Sequence, residues 1–169
     1  MKQRILALAA ITVLFSFGNK AEAAGTATAE AAATIWQPIG IANTSNLNFG
    51  TLSPTGSDGT VTIATNSTVT NSNVTVIPTS STRTAAAFRV TGEMDQSFSV
   101  TLPGSVTITS GSNSMLVDSF VADLPNQGGL SGTLPGGSSL LHVGATLHVG
   151  ATQPSGAYTA PFNVTVAYN

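Results

Sequence analysis

The sequence predicts an all-β protein, an antiparallel sandwich or barrel, and three observations carry that expectation. Apolar and polar residues alternate with period two over many short stretches, the pattern of a strand with one face in a core and one in water. Turn signals separate those stretches, among them Pro103-Gly104, Ser110-Gly111-Ser112-Asn113 and Pro135-Gly136-Gly137, and no stretch after the N-terminal leader shows helical periodicity. The closing stretch is the strongest case. Every even position from 158 to 168 is apolar (Tyr158, Ala160, Phe162, Val164, Val166, Tyr168), and burying each large side chain of such a row is worth roughly 1.5–3 kcal/mol.

Residues 1–23 read as a secretory signal peptide. Met1-Lys2-Gln3-Arg4 is a charged start, Ile5 to Phe17 is an uncharged apolar run, and Ala21-Glu22-Ala23 is a small-x-small cleavage site. The run is shorter than the ~20 residues a membrane span needs, so no stable span is expected. Export through the periplasm to the cell surface or beyond is the expected route.

Residues 24–34, Ala-Gly-Thr-Ala-Thr-Ala-Glu-Ala-Ala-Ala-Thr, form a small, low-complexity extension. Alanine favours helix, but the interleaved threonines favour an extended chain, which is the preferred expectation. Residues 35–169 are then one β domain. Ile35, Ile39 and Ile41 continue the odd-position phase on one face, and Pro38 implies an edge or a strand switch because it cannot donate to a ladder. Further strands are expected at Leu47–Leu52, Thr60–Ile63, Val74–Ile77, Ala85–Thr91, Ser97–Leu102, Val106–Thr109, Met115–Phe120, Leu140–Val143 and Thr146–Val149. The last two lie in a tandem repeat, Leu141-His142-Val143-Gly144-Ala145-Thr146 followed by Leu147-His148-Val149-Gly150-Ala151-Thr152. It reads as two strand pieces joined near Gly144-Ala145. Tyr158–Tyr168 closes the set with nothing after it, so its neighbours come from an earlier segment or another molecule.

Composition excludes several functions. Beyond residue 23 there is no lysine, and Arg83 and Arg89 face six acids, a net charge of −4. That leaves no basic patch for nucleic acid. The chain has no cysteine, hence no thiol nucleophile, thiolate metal site or disulfide. No Gly-x-Ser-x-Gly elbow occurs. His142 and His148 would lie about 20 Å apart on one continuous strand. Only a turn at Gly144-Ala145 would bring them together, with Asp118 or Asp123 as an added metal ligand; solvent-facing histidines are the preferred expectation. Glu93 and Asp95 read as a solvated loop tip. A non-enzymatic role without cofactor or metal is expected.

Four segments carry a family resemblance: Ile39 to Gly50, Ala87 to Gly92, the repeat from Leu141 to Ala151, and Gly156-Ala157-Tyr158 running into Val164 to Tyr168. Together they resemble the secreted bacterial family called domain of unknown function 4402. The Leu47-Asn48-Phe49-Gly50 opening and the Tyr158 to Tyr168 ending are also similar to spore-coat-U and archaic chaperone–usher pilin subunits, many of which carry a disulfide that this chain lacks. That second likeness implies a pilin-like, immunoglobulin-like β-sandwich. It implies a structural subunit of a surface fibre or coat (a fimbrium), assembled by β-strand addition with homologous subunits, a periplasmic chaperone and an outer-membrane usher as partners. The donor candidates are Ala27, Ala29, Ala31, Ala33 and Ile35. The acceptor-flanking candidates are Tyr158, Phe162, Val164, Val166 and Tyr168. The donor alanines are small, each methyl contributing about 0.8 kcal/mol when buried. The alternative is a self-contained, secreted binding or adhesion module, with Trp36 and the tyrosines as stacking candidates.

Overall fold

Twelve strands, every ladder between them antiparallel, build the body of the protein in a computed structural model that describes residues 24–78, 82–124, 127 and 129–169. The expected signal peptide lies outside the described residues. The chain divides into two units, Met1–Thr34 and Ile35–Asn169. In the first, residues 24–34 contain neither strand nor helix and are exposed.

In the second unit, β11 (Ser138–Val149) is the central strand. Its odd residues Leu141, Val143, Ala145, Leu147 and Val149 are all buried, whereas Leu140, His142, Thr146 and His148 face outward to varying degrees. His142 pairs with Ala87 of β6 (Ala86–Thr91) on one flank and Asp123 of β9 (Asn113–Asp123) on the other. Thr146 pairs with Thr62 of β3 (Gly59–Ile63) and Asp118 of β9. So β6 and β3 follow one another along one side of β11, and β9 occupies the other. β1 (Gly40–Ser45) extends the sheet beyond β6, β4 (Val69–Ser72) beyond β3, and β8 (Ser105–Ser110) beyond β9.

Two smaller sheets cover this seven-stranded one. The first orders β10 (Ser131–Thr133), β7 (Ser97–Thr101) and β12 (Thr165–Tyr168). The second pairs β2 (Thr51–Pro54) with β5 (Val74–Ile77). Each closes its own core. Phe88, Val90, Phe98, Val100, Leu134, Leu141 and Val143 gather under the first small sheet. Val61, Val74, Val117, Ala145, Leu147 and Val149 gather by the second. Among the described residues no polar side chain is fully buried, so both cores rest on apolar burial alone.

Several sequence expectations need correction. The two strand pieces expected on either side of Gly144-Ala145 are one continuous strand, β11, which takes in the whole first copy of the repeat and ends at Val149 of the second. Gly144 permits this by close approach, since a Cβ there would overlap the Ile63 carbonyl. The strand expected at Leu47–Leu52 starts only at Thr51. Asn48 Oδ1 takes the Gly50 N–H in a tight turn at 2.8 Å, and Gly50 has φ 81°. Ile35 does not share a buried face with Ile39 and Ile41: β1 starts after Pro38, and only the latter two pack on the first core. β4 and β10 were not expected.

Tyr158–Tyr168 keeps its alternation but is not one strand. Thr159 bridges Thr109 of β8 in the large sheet, with N···O distances of 3.1 and 3.2 Å in the two directions. Beyond Pro161, which lacks an N–H, the chain joins β7 of the small sheet at Thr165. The row thus crosses from one sheet to the other.

Candidate functional site

Among the described residues the last strand has a ladder on one side only. β12 pairs with β7 from Thr165↔Thr101 to Tyr168↔Phe98, and the Asn169 N–H donates to the Ser97 carbonyl at 3.2 Å. In an antiparallel ladder successive residues direct their main-chain groups to opposite sides. Thr165, Ala167 and Asn169 therefore point at β7, and Val166 and Tyr168 point away from it. That outward edge is the open edge of the small sheet. Among the described residues β1, at the rim of the large sheet, also has a ladder on one side only, with β6.

Beneath the open edge the core is filled. Phe162 sits between Phe88 (ring centroids 6.2 Å apart, 82° between planes) and Phe120 (5.3 Å, 41°). Val164, Val166 and Tyr168 pack on the same core and are half-buried. The structure therefore brings together four of the five acceptor candidates. Tyr158 stands apart: its hydroxyl donates to the Pro154 carbonyl and accepts from Gln153 Nε2, both at 2.8 Å. Of the donor candidates, Ala27, Ala29, Ala31 and Ala33 lie in the first unit with no regular structure, and Ile35 is exposed at the start of the second.

Tyr168 organises one end of the edge. Its hydroxyl donates to the Gln37 carbonyl and accepts the Glu93 N–H, each at 2.6 Å. The Gln37 N–H in turn donates to Glu93 Oε2 at 2.8 Å, which closes a three-residue ring of hydrogen bonds. Trp36 stands edge-on to the Tyr168 ring, 5.4 Å between centroids. Gly92 leaves room for this arrangement, because a Cβ there would overlap the Tyr168 hydroxyl and the ring would have to shift. Glu93 is thus not simply part of a solvated tip. Gln37, Gly92 and Glu93 carried no local motif; the glycine just after the β6 pattern was the one available signal.

The histidines lie on the outer face of β11. His142 is opposite Asp123 in register, and His148 Nε2 lies 3.0 Å from Asp118 Oδ1. The hydrogen bond from His148 is the main reason the Asp118 carboxyl sits below its ordinary value; a hydrogen bond from Ser119 and the His148 charge add to it, against partial desolvation. Since β11 runs straight, the fold-back that would have joined the two histidines does not occur. Among the described residues no group of three or more His, Asp or Glu could hold a metal ion.

Residues 39–168 match the family described as Domain of unknown function (DUF4402). The match begins after the 24–34 extension and Trp36. No curated protein and no solved structure matches the chain.

Proposed function

The chain belongs to the domain of unknown function 4402 family, and we propose that it is a non-catalytic structural subunit of a bacterial surface fibre or coat. The observation that carries this proposal is the open edge of β12. Val166 and Tyr168 offer main-chain groups there that no strand among the described residues pairs with, directly above a half-buried apolar row. An exposed edge of this kind is a template for strand addition. On this reading the layers form an immunoglobulin-like, pilin-like sandwich, and residues 24–34 of a second copy add beside β12. Export by the signal peptide, a periplasmic chaperone holding the edge and an outer-membrane usher belong to the same proposal. The filled floor at Phe162 suits a donor of small side chains such as Ala27, Ala29, Ala31 and Ala33, which would hold chiefly through main-chain hydrogen bonds.

The test is deletion of residues 24–34 from the exported protein. Unheated gels of cell-surface material are expected to lose their ladder while the domain is still secreted. A ladder that survives the deletion rules the mechanism out.

One observation favours a second reading, a self-contained secreted adhesion module. The first core is closed by its own residues, with Phe98, Leu134, Leu141 and Val143 at 0% exposure. A mature protein that stays monomeric in size-exclusion chromatography at every concentration supports this reading over the first.

A further inference from the structure

The outer face of the large sheet carries an open cleft of about 440 Å³ at the C-terminal end of β11, the size of a small-ligand site. Four strands meet in its floor. Their registers align Leu116 of β9, His148 of β11, Thr60 of β3 and Ser72 of β4 in one row, and all four residues line the cleft. Three strand spacings make that row about 14 Å long. The chain that follows β11 borders the cleft and is clamped on both flanks. On one flank Asp58 Oδ1 accepts the Ala151 N–H at 2.8 Å; on the other Gln153 Nε2 donates to the Ser114 carbonyl at 3.2 Å. These bonds shape the cleft before any ligand arrives, which lowers the ordering cost of binding.

The chemistry of the cleft selects a class of ligand. His148 Nε2 donates to the Asp118 carboxylate at 3.0 Å, so in the neutral imidazole Nδ1 is an acceptor. Asp58 has a second carboxylate oxygen besides the one that binds Ala151. The hydroxyls of Thr60, Ser72 and Ser114 enter no hydrogen bond among the described residues. Anions are disfavoured, because among the described residues no lysine or arginine lines the cleft, while Asp58 does and Asp118 stands behind His148. Among the described residues no group of three side chains could hold a metal ion. An organic cation would meet one exposed carboxylate, and exposed ion pairs contribute little. A neutral, hydroxyl-rich molecule fits what is left. Leu116, 41% exposed at the end of the row, offers aliphatic surface to the C–H face of a ring.

We propose that this cleft binds a neutral saccharide, with hydroxyls bonded to Asp58, Thr60, Ser72 and His148 and a ring face against Leu116. The proposal rests on the adhesion reading above, to which it gives a ligand class and a place, and it does not depend on strand addition.

The experiment applies the mature protein to an array of neutral gluco-, galacto- and manno-oligosaccharides, with heparin and spermine as charged comparators. The tightest neutral oligosaccharide is then titrated into the protein and followed by the NMR signals of its two histidine rings. The expected result is binding to neutral oligosaccharides, with the His148 signals moving and those of His142 staying in place. Asp58→Asn, whose amide oxygen can still accept the Ala151 N–H, and Ser72→Ala are each expected to weaken binding about tenfold with unfolding midpoints unchanged. A neutral-saccharide affinity that both variants retain overturns the cleft and leaves saccharide adhesion through another surface. Preference for heparin or spermine overturns the ligand class. Absence of any saccharide binding overturns the proposal, and the size-exclusion experiment above then decides the adhesion reading by itself.

Discussion

Tyr168 and Gln37, 131 residues apart in sequence, are joined by a 2.6 Å hydrogen bond from the tyrosine hydroxyl to the glutamine carbonyl. The same hydroxyl receives the Glu93 N–H. One oxygen thereby fixes where the chain enters the domain, the loop after β6 and the last strand.

Tyr168→Phe removes both hydrogen bonds and keeps the ring against Trp36. At about 0.5–1.5 kcal/mol net per bond, the loss is about 1–3 kcal/mol in urea unfolding. Gly92→Ala is expected to cost at least as much, because its methyl would overlap the hydroxyl and approach Leu134 Cδ1 to 2.9 Å. In the Tyr168→Phe background the Gly92→Ala cost is expected to fall. Strict additivity of the two changes contradicts the contact.

The repeat supplies a comparison between two glycines in the same local sequence. A Cβ on Gly144 would overlap the Ile63 carbonyl and approach Ala64 and Thr65 main-chain atoms, none of which has a rotamer to change. At Gly150 the nearest atom is the amide oxygen of Gln153, at 3.3 Å and on a flexible side chain. Gly144→Ala is expected to lose about 1–3 kcal/mol or more, and Gly150→Ala under about 1 kcal/mol. Equal effects would mean that β11 does not pass Ile63 as described.

The Asp118–His148 pair predicts a small acid-side effect. The folded carboxyl titrates below its ordinary value, so between the two values the unfolded chain binds more protons. Its contribution is complete above the ordinary carboxylate pKa and is lost as pH falls through the lowered value. His148→Ala is expected to raise the Asp118 titration midpoint, followed by carboxyl NMR, and to flatten the fall in unfolding midpoint over that acid range. The pair is partly exposed, so added salt weakens the effect. An unchanged Asp118 titration would show that His148 is not its cause.

The period-two signal located strands well where one face is strongly apolar. Val74–Ile77 was legible to the residue, and β6, β7 and β8 nearly so. β10 is Ser-Gly-Thr, with no apolar residue to mark it, and β4 carries only Val69. Both form because a neighbouring strand offers a ladder, which no local pattern records. The repeat read as two strand pieces joined near Gly144-Ala145, yet here the side chain Gly144 lacks lets another backbone pass. The apolar row of the candidate edge was legible from Phe162 to Tyr168. The hydrogen-bonded ring at Tyr168 was not, because its members are 56, 75 and 131 positions apart. Nor does alternation reveal which sheet a strand joins: Thr159 and Thr165 continue one pattern and pair in different sheets.

Strand addition makes a prediction that depends on single main-chain groups. The Val166 N–H points to the open edge and that of Ala167 to β7, as the register from Thr165 to Asn169 requires. Proline at 166 removes a donor that no strand among the described residues uses, and edge strands tolerate proline on that side. Proline at 167 removes a ladder bond and sets its ring against β7. Val166→Pro is therefore expected to remain folded, with some loss from the missing Val166 packing, while polymer formation in unheated gels is abolished. Ala167→Pro is expected to unfold at clearly lower urea concentration than Val166→Pro, because it alone breaks a ladder bond to β7. If Val166→Pro polymerises like the wild type, the incoming strand does not pair with β12. A folded Val166→Pro monomer beside an unstable Ala167→Pro protein would place the incoming strand on the outward groups of Val166 and Tyr168.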